Sequence, residues 1–403
     1  MLKAIEGGIT APKGFKAAGV KAGIKKSGKE DLTVIYSTAP ASAAAVFTTN
    51  AFAAAGVQVS RQVAAKGTAR AVVVNSGCAN SCTGEQGLAD ARAMAHQTAS
   101  LLGLADDEVF VASTGIIGVN LPMAKVAEGI RRAVAALSVE GHATALQGIM
   151  TTDTFPKVAA YEFSLGGATA RVAGIAKGAG MISPNMATLL SFVTTDAAVA
   201  PAALKQALKE AVELSMNSIT VDGDMSTNDT LCLLANGQAG NKLIESAGDP
   251  GYAEFVAALT AVCTDLAKLI VRDGEGATKF LEITVRGAAS YGEAKAAGMA
   301  IAKSPLVKTA FFGQDPNWGR ILCAAGYSGA QVDPGKATLT LGGIIVARNG
   351  MNAPVADPKA LQKVMAGKDI LVELELGVGG AAATVWTCDF SYEYVKINAD
   401  YST

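Results

Sequence analysis

The chain of 403 residues carries 34 basic and 35 acidic side chains, a formal net charge of -1, and half of its residues are hydrophobic. That balance removes any bulk attraction to nucleic acid or anionic membrane and leaves small molecules as the expected partners. No run of about 18 consecutive apolar residues exists to cross a bilayer. The first fifteen residues include Lys3, Glu6, Gly7, Gly8 and Pro12 and lack the apolar segment of a secretory signal, so a cytoplasmic protein is expected. The six cysteines (Cys78, Cys82, Cys232, Cys263, Cys323 and Cys388) are scattered through apolar surroundings and read as reduced and structural. Cys78 and Cys82 offer at most half of a zinc site, so no metal is expected. The only histidines, His96 and His142, lie in helix-like segments, and no G-x-S-x-G elbow accompanies them, which argues against a Ser/His/Asp triad.

In chain order, residues 32–36 and 71–75 read as strands and 87–102 as an alanine-rich helix. Residues 108–112 read as a strand that runs into Ser113-Thr114-Gly115, where a glycine leaves the backbone open to close approach by a ligand. Segments 157–165 and 168–175 flank Gly166-Gly167, a dipeptide suited to the positive φ angles of a hairpin turn, and the hairpin delivers Lys177 to a loop. After an apolar strand at 189–193, Pro201 opens a helix with Leu204, Leu208 and Val212 on one face. A second helix runs over 252–271 and exits through Arg272-Asp273-Gly274-Glu275. Beyond Phe280 the texture changes to strands with Gly-rich turns, at 281–286, 337–341, 370–376 and 383–394. The expected architecture is a layered α/β sandwich over residues 1–285 followed by a smaller α+β domain over 286–403.

The junction before the 189–193 strand is the most informative stretch. Lys177 to Thr188 form a small, Gly/Pro-containing loop, and Thr188 stands between it and a core strand. Threonine commonly opens strands. The same placement also suits attack of the Thr188 hydroxyl on the Ala187 carbonyl, after which hydrolysis leaves Thr188 as a new N-terminus whose α-amine, with a reference pKa of roughly 7.7 to 8.0, is a built-in base. Two other motifs fail on inspection. Residues 23–29 are nearly a phosphate-binding loop, but Glu30 replaces the Ser/Thr and no apolar strand precedes it. Residues 222–229 begin like a calcium loop, but Thr227 and Leu233 occupy the positions that need Gly and Glu. That run is left with buried hydrogen bonding near the site as its expected role.

The stretch 177–195, KGAGMISPNMATLLSFVTT, resembles the self-cleavage segment of the ornithine acetyltransferase family, the glutamate N-acetyltransferases of the arginine pathway. Residues 113–118 (STGIIG), 152–157 (TDTFPK), 222–229 (DGDMSTND), 273–279 (DGEGATK) and 398–403 (NADYST) resemble that family as well, in its order. The resemblance covers essentially the whole chain. It implies autocatalytic cleavage between Ala187 and Thr188, then ping-pong transfer of an acetyl group from N-acetylornithine to glutamate through acetyl-Thr188. Thr114 and the Gly115 N–H are implied as the oxyanion hole, and Thr154, Lys177, Thr188, Glu275, Asn398 and Thr403 as the substrate-binding set. The last two require the C-terminus to fold back over the cleft. No cofactor is implied; acetyl-CoA is the one additional co-substrate the family leaves open, and α and β chains from one precursor are expected to assemble as α2β2. Two other readings compete: a self-cleaving amidase or aminopeptidase in which water takes the acyl group, and a non-catalytic binder of amino-acid derivatives that is never cut.

Overall fold

The computed structural model describes residues 2–183 and 189–400. Three sheets organise them. A four-stranded sheet runs in the order Phe15–Val20, Leu32–Ser37, Ala71–Cys78, Val109–Ile116. A six-stranded sheet runs Leu2–Ala4, Lys157–Leu165, Ala168–Lys177, Leu190–Thr195, Thr230–Ala235, Ser42–Phe47. A seven-stranded sheet is built mostly from residues beyond 280 and takes the short strand Ile219–Thr220 at one edge.

The period-2 alternation of each strand shows how the first two sheets stack. In the four-stranded sheet Val72, Val74 and Phe110 point to one face and Val73, Val109 and Val111 to the other; in the six-stranded sheet Leu190, Phe192, Cys232 and Leu234 oppose Val193, Leu231 and Leu233. Val72, Val74, Phe110, Leu190, Phe192 and Leu234 share one core, so the two sheets face each other directly. The outer face of the four-stranded sheet is covered by the helices Ala55–Lys66, Gly84–Leu102 and Met123–Ala135. The outer face of the six-stranded sheet is covered by Pro201–Leu214 and Tyr252–Arg272. Strands buried on both faces read as near-continuous apolar runs, such as Val72-Val73-Val74 and Leu231-Cys232-Leu233-Leu234. Each fully buried large side chain contributes about 1.5–3 kcal/mol relative to exposure.

Local chemistry fixes the connections that reach the site. Gly166 and Gly167 have φ of 60° and 90°, so the hairpin between Lys157–Leu165 and Ala168–Lys177 closes in two residues and sets Lys177 at the strand's far end. In the loop 22–31 the Asp31 carboxylate accepts the N–H groups of Ala22 at 2.6 Å, Ile24 at 2.6 Å and Lys25 at 2.9 Å. Two of the donors that a phosphate loop would offer a ligand, the N–H groups of Ile24 and Lys25, are therefore spent on the chain's own carboxylate.

The later part of the chain holds more helix than its sequence texture suggests. The helices Tyr291–Lys303, Pro305–Phe312, Trp318–Gly326 and Pro358–Ala366 lie among its strands. The strand expected over 383–394 is instead Ala381–Cys388, followed by the helix Tyr392–Asp400. Asp389 ends the strand by taking the Thr278 and Lys279 N–H groups at 2.8 and 2.9 Å, and the Ser391 hydroxyl caps the next turn by accepting from Glu393 N–H at 3.2 Å. A division at 285/286 falls inside the strand Phe280–Ala288, and the core on the helix-covered face of the six-stranded sheet already includes Phe280, Trp386 and Cys388.

Candidate active site

Thr114 and Gly115 close the strand Val109–Ile116, in register with Ser76 and Gly77 of the neighbouring strand. Gly115 has φ of 130°, and a Cβ there would lie 2.3 Å from the Gly77 carbonyl carbon and 2.5 Å from the Cys78 nitrogen. No side chain fits between these two backbones. The strand end is held from both sides: Ser113 donates to the Asn75 carboxamide oxygen at 2.6 Å, and the Ser113 carbonyl accepts from the Asn228 side-chain amide at 2.9 Å. Gly115→Ala is accordingly expected to displace Thr114; if these two groups form the oxyanion hole that the resemblance implies, losing one donor should cost about 100-fold or more in the initial rate of the catalysed reaction, and an unchanged rate would contradict the placement.

Lys177 ends the strand Ala168–Lys177 and donates from Nζ to the Thr114 hydroxyl at 3.1 Å. A hydroxyl that accepts from a cation keeps its own proton free to donate elsewhere. Behind Lys177 sits a buried charge cluster. Lys157, fully buried, places its ammonium 2.6 Å from Asp153 and 2.5 Å from Asp273, and Asp153 also accepts the Gly178 N–H at 2.7 Å. Burial works to raise the Asp153 carboxyl, but the Lys157 and Lys177 charges outweigh it and hold the group below its usual range. Burial pushes the Lys177 ammonium below its ordinary value, with Asp153 opposing and Lys157 reinforcing the shift.

The opposite wall comes from the exit of the helix Tyr252–Arg272 and from the C-terminal helix. Glu275 is anchored by its N–H on the Ala179 carbonyl at 2.9 Å. Gly180 leaves room for its side chain, since a Cβ there would meet Glu275 Oε2 at 2.3 Å. Asn398 donates to Glu275 Oε2 at 3.0 Å from the helix Tyr392–Asp400. That helix is seated through Ser391, which donates to the Gly276 carbonyl at 2.5 Å, and through Phe390 stacked on Tyr394 with ring centres 4.6 Å apart. Burial, then the nearby Asp222, Asp224 and Glu275 charges, push the Tyr394 hydroxyl above its ordinary pKa.

Between the walls lies a cavity of about 300 Å³, lined among the described residues by Thr114, Gly115, Lys177, Glu275 and Asn398. These five expected site residues, from four separated stretches, converge. Thr154 does not line the cavity: its N–H bonds Asp273 at 2.9 Å and its hydroxyl donates to the same carboxylate, while Thr151 and Thr152 take the wall position. Ala187, Thr188 and Thr403 lie outside the described residues. Of the described residues on either side of the junction, Ile182 and Leu189 line the cavity.

Among the other cavity residues, Asp222, Asn228 and Asp229 belong to the run expected to supply buried hydrogen bonds near the site, and Tyr394 carries no role in the sequence reading. Asp229 is 2% exposed, and one of its carboxylate oxygens has no hydrogen-bond partner among the described residues. Burial drives its pKa well above the ordinary value, with the Lys177 charge opposing. The 222–229 run pointed to them, but acidic spacing alone does not say which carboxylates turn inward. Asp153, Lys157 and Asp273 were legible only as parts of two motifs. Chemically, the arrangement pairs a cation and a hydroxyl donor on one side with a carboxylate and an amide on the other, which suits a ligand carrying both an anionic and an amine group.

The ArgJ family model matches residues 16–403. The chain is 53% identical over 402 residues, 99% of each partner, to the arginine biosynthesis bifunctional protein ArgJ of Symbiobacterium thermophilum. It is also 53% identical to the protein of the same name from Geobacter sulfurreducens, over 97% of this chain and 99% of that one. Among solved structures, ornithine acetyltransferase complexed with ornithine, from Mycobacterium tuberculosis, is 42% identical and matches 46% of this chain and all of that chain with a TM-score of 0.44. On a family model and on relatives that span its whole length, this chain belongs to the ArgJ family.

Proposed function

We infer that the chain is a self-processing acetyltransferase of arginine biosynthesis, which cuts itself between Ala187 and Thr188 and then moves an acetyl group from N-acetylornithine to glutamate. The observation that carries this reading is the convergence of Thr114, Gly115, Lys177, Glu275 and Asn398 on one cavity whose wall also includes Ile182 and Leu189, one on each side of the junction. Membership of the ArgJ family over nearly the whole chain supports it.

In the processing step, the Thr188 oxygen bonds to the Ala187 carbonyl carbon, the peptide C–N bond breaks, and the hydroxyl proton passes to the freed amine. Water then cleaves the ester, giving its hydroxyl to Ala187 and its proton to Thr188. In transfer, the same oxygen attacks the acetyl carbon of N-acetylornithine, its proton passes through the α-amine to the departing nitrogen, and ornithine leaves. The glutamate amine then attacks the acetyl ester; a C–N bond forms, the C–O bond breaks, and Thr188 recovers its proton. Thr114, its proton freed by the Lys177 contact, and the Gly115 N–H face the developing anion in both steps. Lys177 neutralises the substrate carboxylate, and Glu275 with Asn398 orders the amine. Thr154 acts one contact away, by holding Asp273. Thr403 completes the binding set, acetyl-CoA serves as a second acetyl donor, in keeping with relatives named bifunctional, and α and β chains assemble as α2β2 in the cytoplasm. No described helix is long and apolar enough to cross a membrane. The layered α/β part over 1–285 carries the nucleophile, and 286–403 returns the tail to it.

Incubation with N-acetylornithine and glutamate should yield N-acetylglutamate and ornithine in equal amounts; acetate as the main acyl product would identify a hydrolase instead. Glu275→Gln should raise KM about tenfold, the worth of one charge-assisted hydrogen bond at about 1.4 kcal/mol, with a smaller effect on kcat in steady-state rates.

A further inference from the structure

The run beginning at Asp222 binds the described flanks of the junction. Ahead of it, Asp222 accepts the Met181 N–H at 2.6 Å on one carboxylate oxygen and the Ile182 N–H at 2.9 Å on the other. The Ile182 carbonyl in turn accepts from the Val221 N–H at 2.7 Å and the Thr220 hydroxyl at 2.9 Å. Both polar groups of Ile182 are thus committed to residues 220–222. Beyond the junction, the Leu189 carbonyl accepts from the Thr230 N–H at 2.9 Å, and the strand Leu190–Thr195 continues in parallel register with Thr230–Ala235.

Met181 has φ of 57°, a left-handed conformation that a residue with a Cβ adopts only when something holds it there. The Asp222 carboxylate is that hold. With a third donor, the Asp224 N–H at 3.2 Å, the same carboxylate is occupied by backbone on three counts. It lines the cavity, but its oxygens are already used, which separates its role from that of Lys177 or Glu275.

We propose that Asp222 is a positioning residue for self-cleavage: its carboxylate and the Thr220 hydroxyl fix the entry to the junction while Thr230 fixes the exit, so both ends are registered on one segment. The proposal rests on the self-processing reading above. Intramolecular attack depends on a near-attack geometry, and ends tied to one segment shorten the search that would otherwise precede it.

The test follows cleavage of freshly translated full-length chain by denaturing mass analysis. Asp222→Ala should slow cleavage tenfold or more, Asp222→Asn, which keeps one acceptor oxygen, should recover part of the rate, and Thr220→Val should slow it threefold or more from the other side of the clamp. In a Thr188→Ala background, where no chain is cut, hydrogen exchange separates positioning from loss of fold. Asp222→Ala should then speed exchange at the Met181 and Ile182 amides about tenfold while the Leu190–Thr195 amides stay protected. Cleavage of Asp222→Ala and Thr220→Val at the wild-type rate would overturn the proposal and leave self-processing intact, as would slow cleavage with those two amides still protected. A wild-type chain that is never cut would remove the self-processing reading, and the proposal with it.

Discussion

Thr188→Ala is expected to purify as one uncut chain of 40.7 kDa and to lose at least about 1,000-fold in acetyl transfer, in line with the loss of a catalytic nucleophile elsewhere. The two losses share one cause. In the proposed scheme the hydroxyl that attacks the Ala187 carbonyl is the one that later carries the acetyl group, and the amine that deprotonates it exists only after the cut. Thr188→Ser keeps both groups and should still be cut, with reduced transfer. A Thr188→Ala chain still divided after Ala187 would assign the cut to an outside protease. An uncut, inactive Thr188→Ala beside a cut, active Thr188→Ser would tie both reactions to one oxygen.

Lys157→Met should carry the largest stability cost among substitutions outside the nucleophile, about 3–5 kcal/mol. Its ammonium is fully buried and is the cation shared by Asp153 and Asp273. Removing it leaves two buried carboxylates without their shared counter-ion, a worse state than a neutral cluster of the same shape. Lys157→Met/Asp273→Asn should therefore recover part of the loss. The pH dependence has a definite sign. In the native chain the Asp153 pKa is lowered from 3.8, so its contribution is fully present above that value and fades as pH falls through the lower folded pKa. In Lys157→Met the cluster is relieved by taking up a proton, so the stability gap between variant and native chain should narrow from neutral pH toward about pH 4. Urea midpoints across that range read it directly, and a loss under about 1 kcal/mol at neutral pH would contradict the assignment.

Much of the architecture was visible in the sequence because its signals are local. Gly166-Gly167 between two strand-like runs specifies a hairpin without reference to the rest of the molecule, and Pro201 with Leu204, Leu208 and Val212 specifies a helix face. The later helices were hidden by Gly-rich texture, although Ser290, Ser304 and Asp357 each stand at an N-cap and accept the expected N–H. The strand expected to run to residue 394 was overridden by Asp389 and Ser391, whose bonds to Thr278, Lys279 and Gly276 are long-range and leave no mark in a linear pattern.

The site divides along the same line. Lys177 and Glu275 were legible as charged residues at the exits of a strand and a helix, and their roles came from resemblance to a family. Thr154 shows the limit: its motif was recognised, but only the fold reveals that its hydroxyl serves Asp273. The pairing of Asn398 with Glu275 spans 123 residues, and the binding of Met181 and Ile182 by Asp222 spans about forty. Neither is a property of any short segment.

The most direct test of the account is the intact mass of the wild-type enzyme under denaturing conditions, taken on a sample whose transfer activity has been measured. Two chains divided between Ala187 and Thr188, together weighing the 40.7 kDa of the full sequence plus one water, are predicted. A single undivided chain in a fully active sample would contradict it.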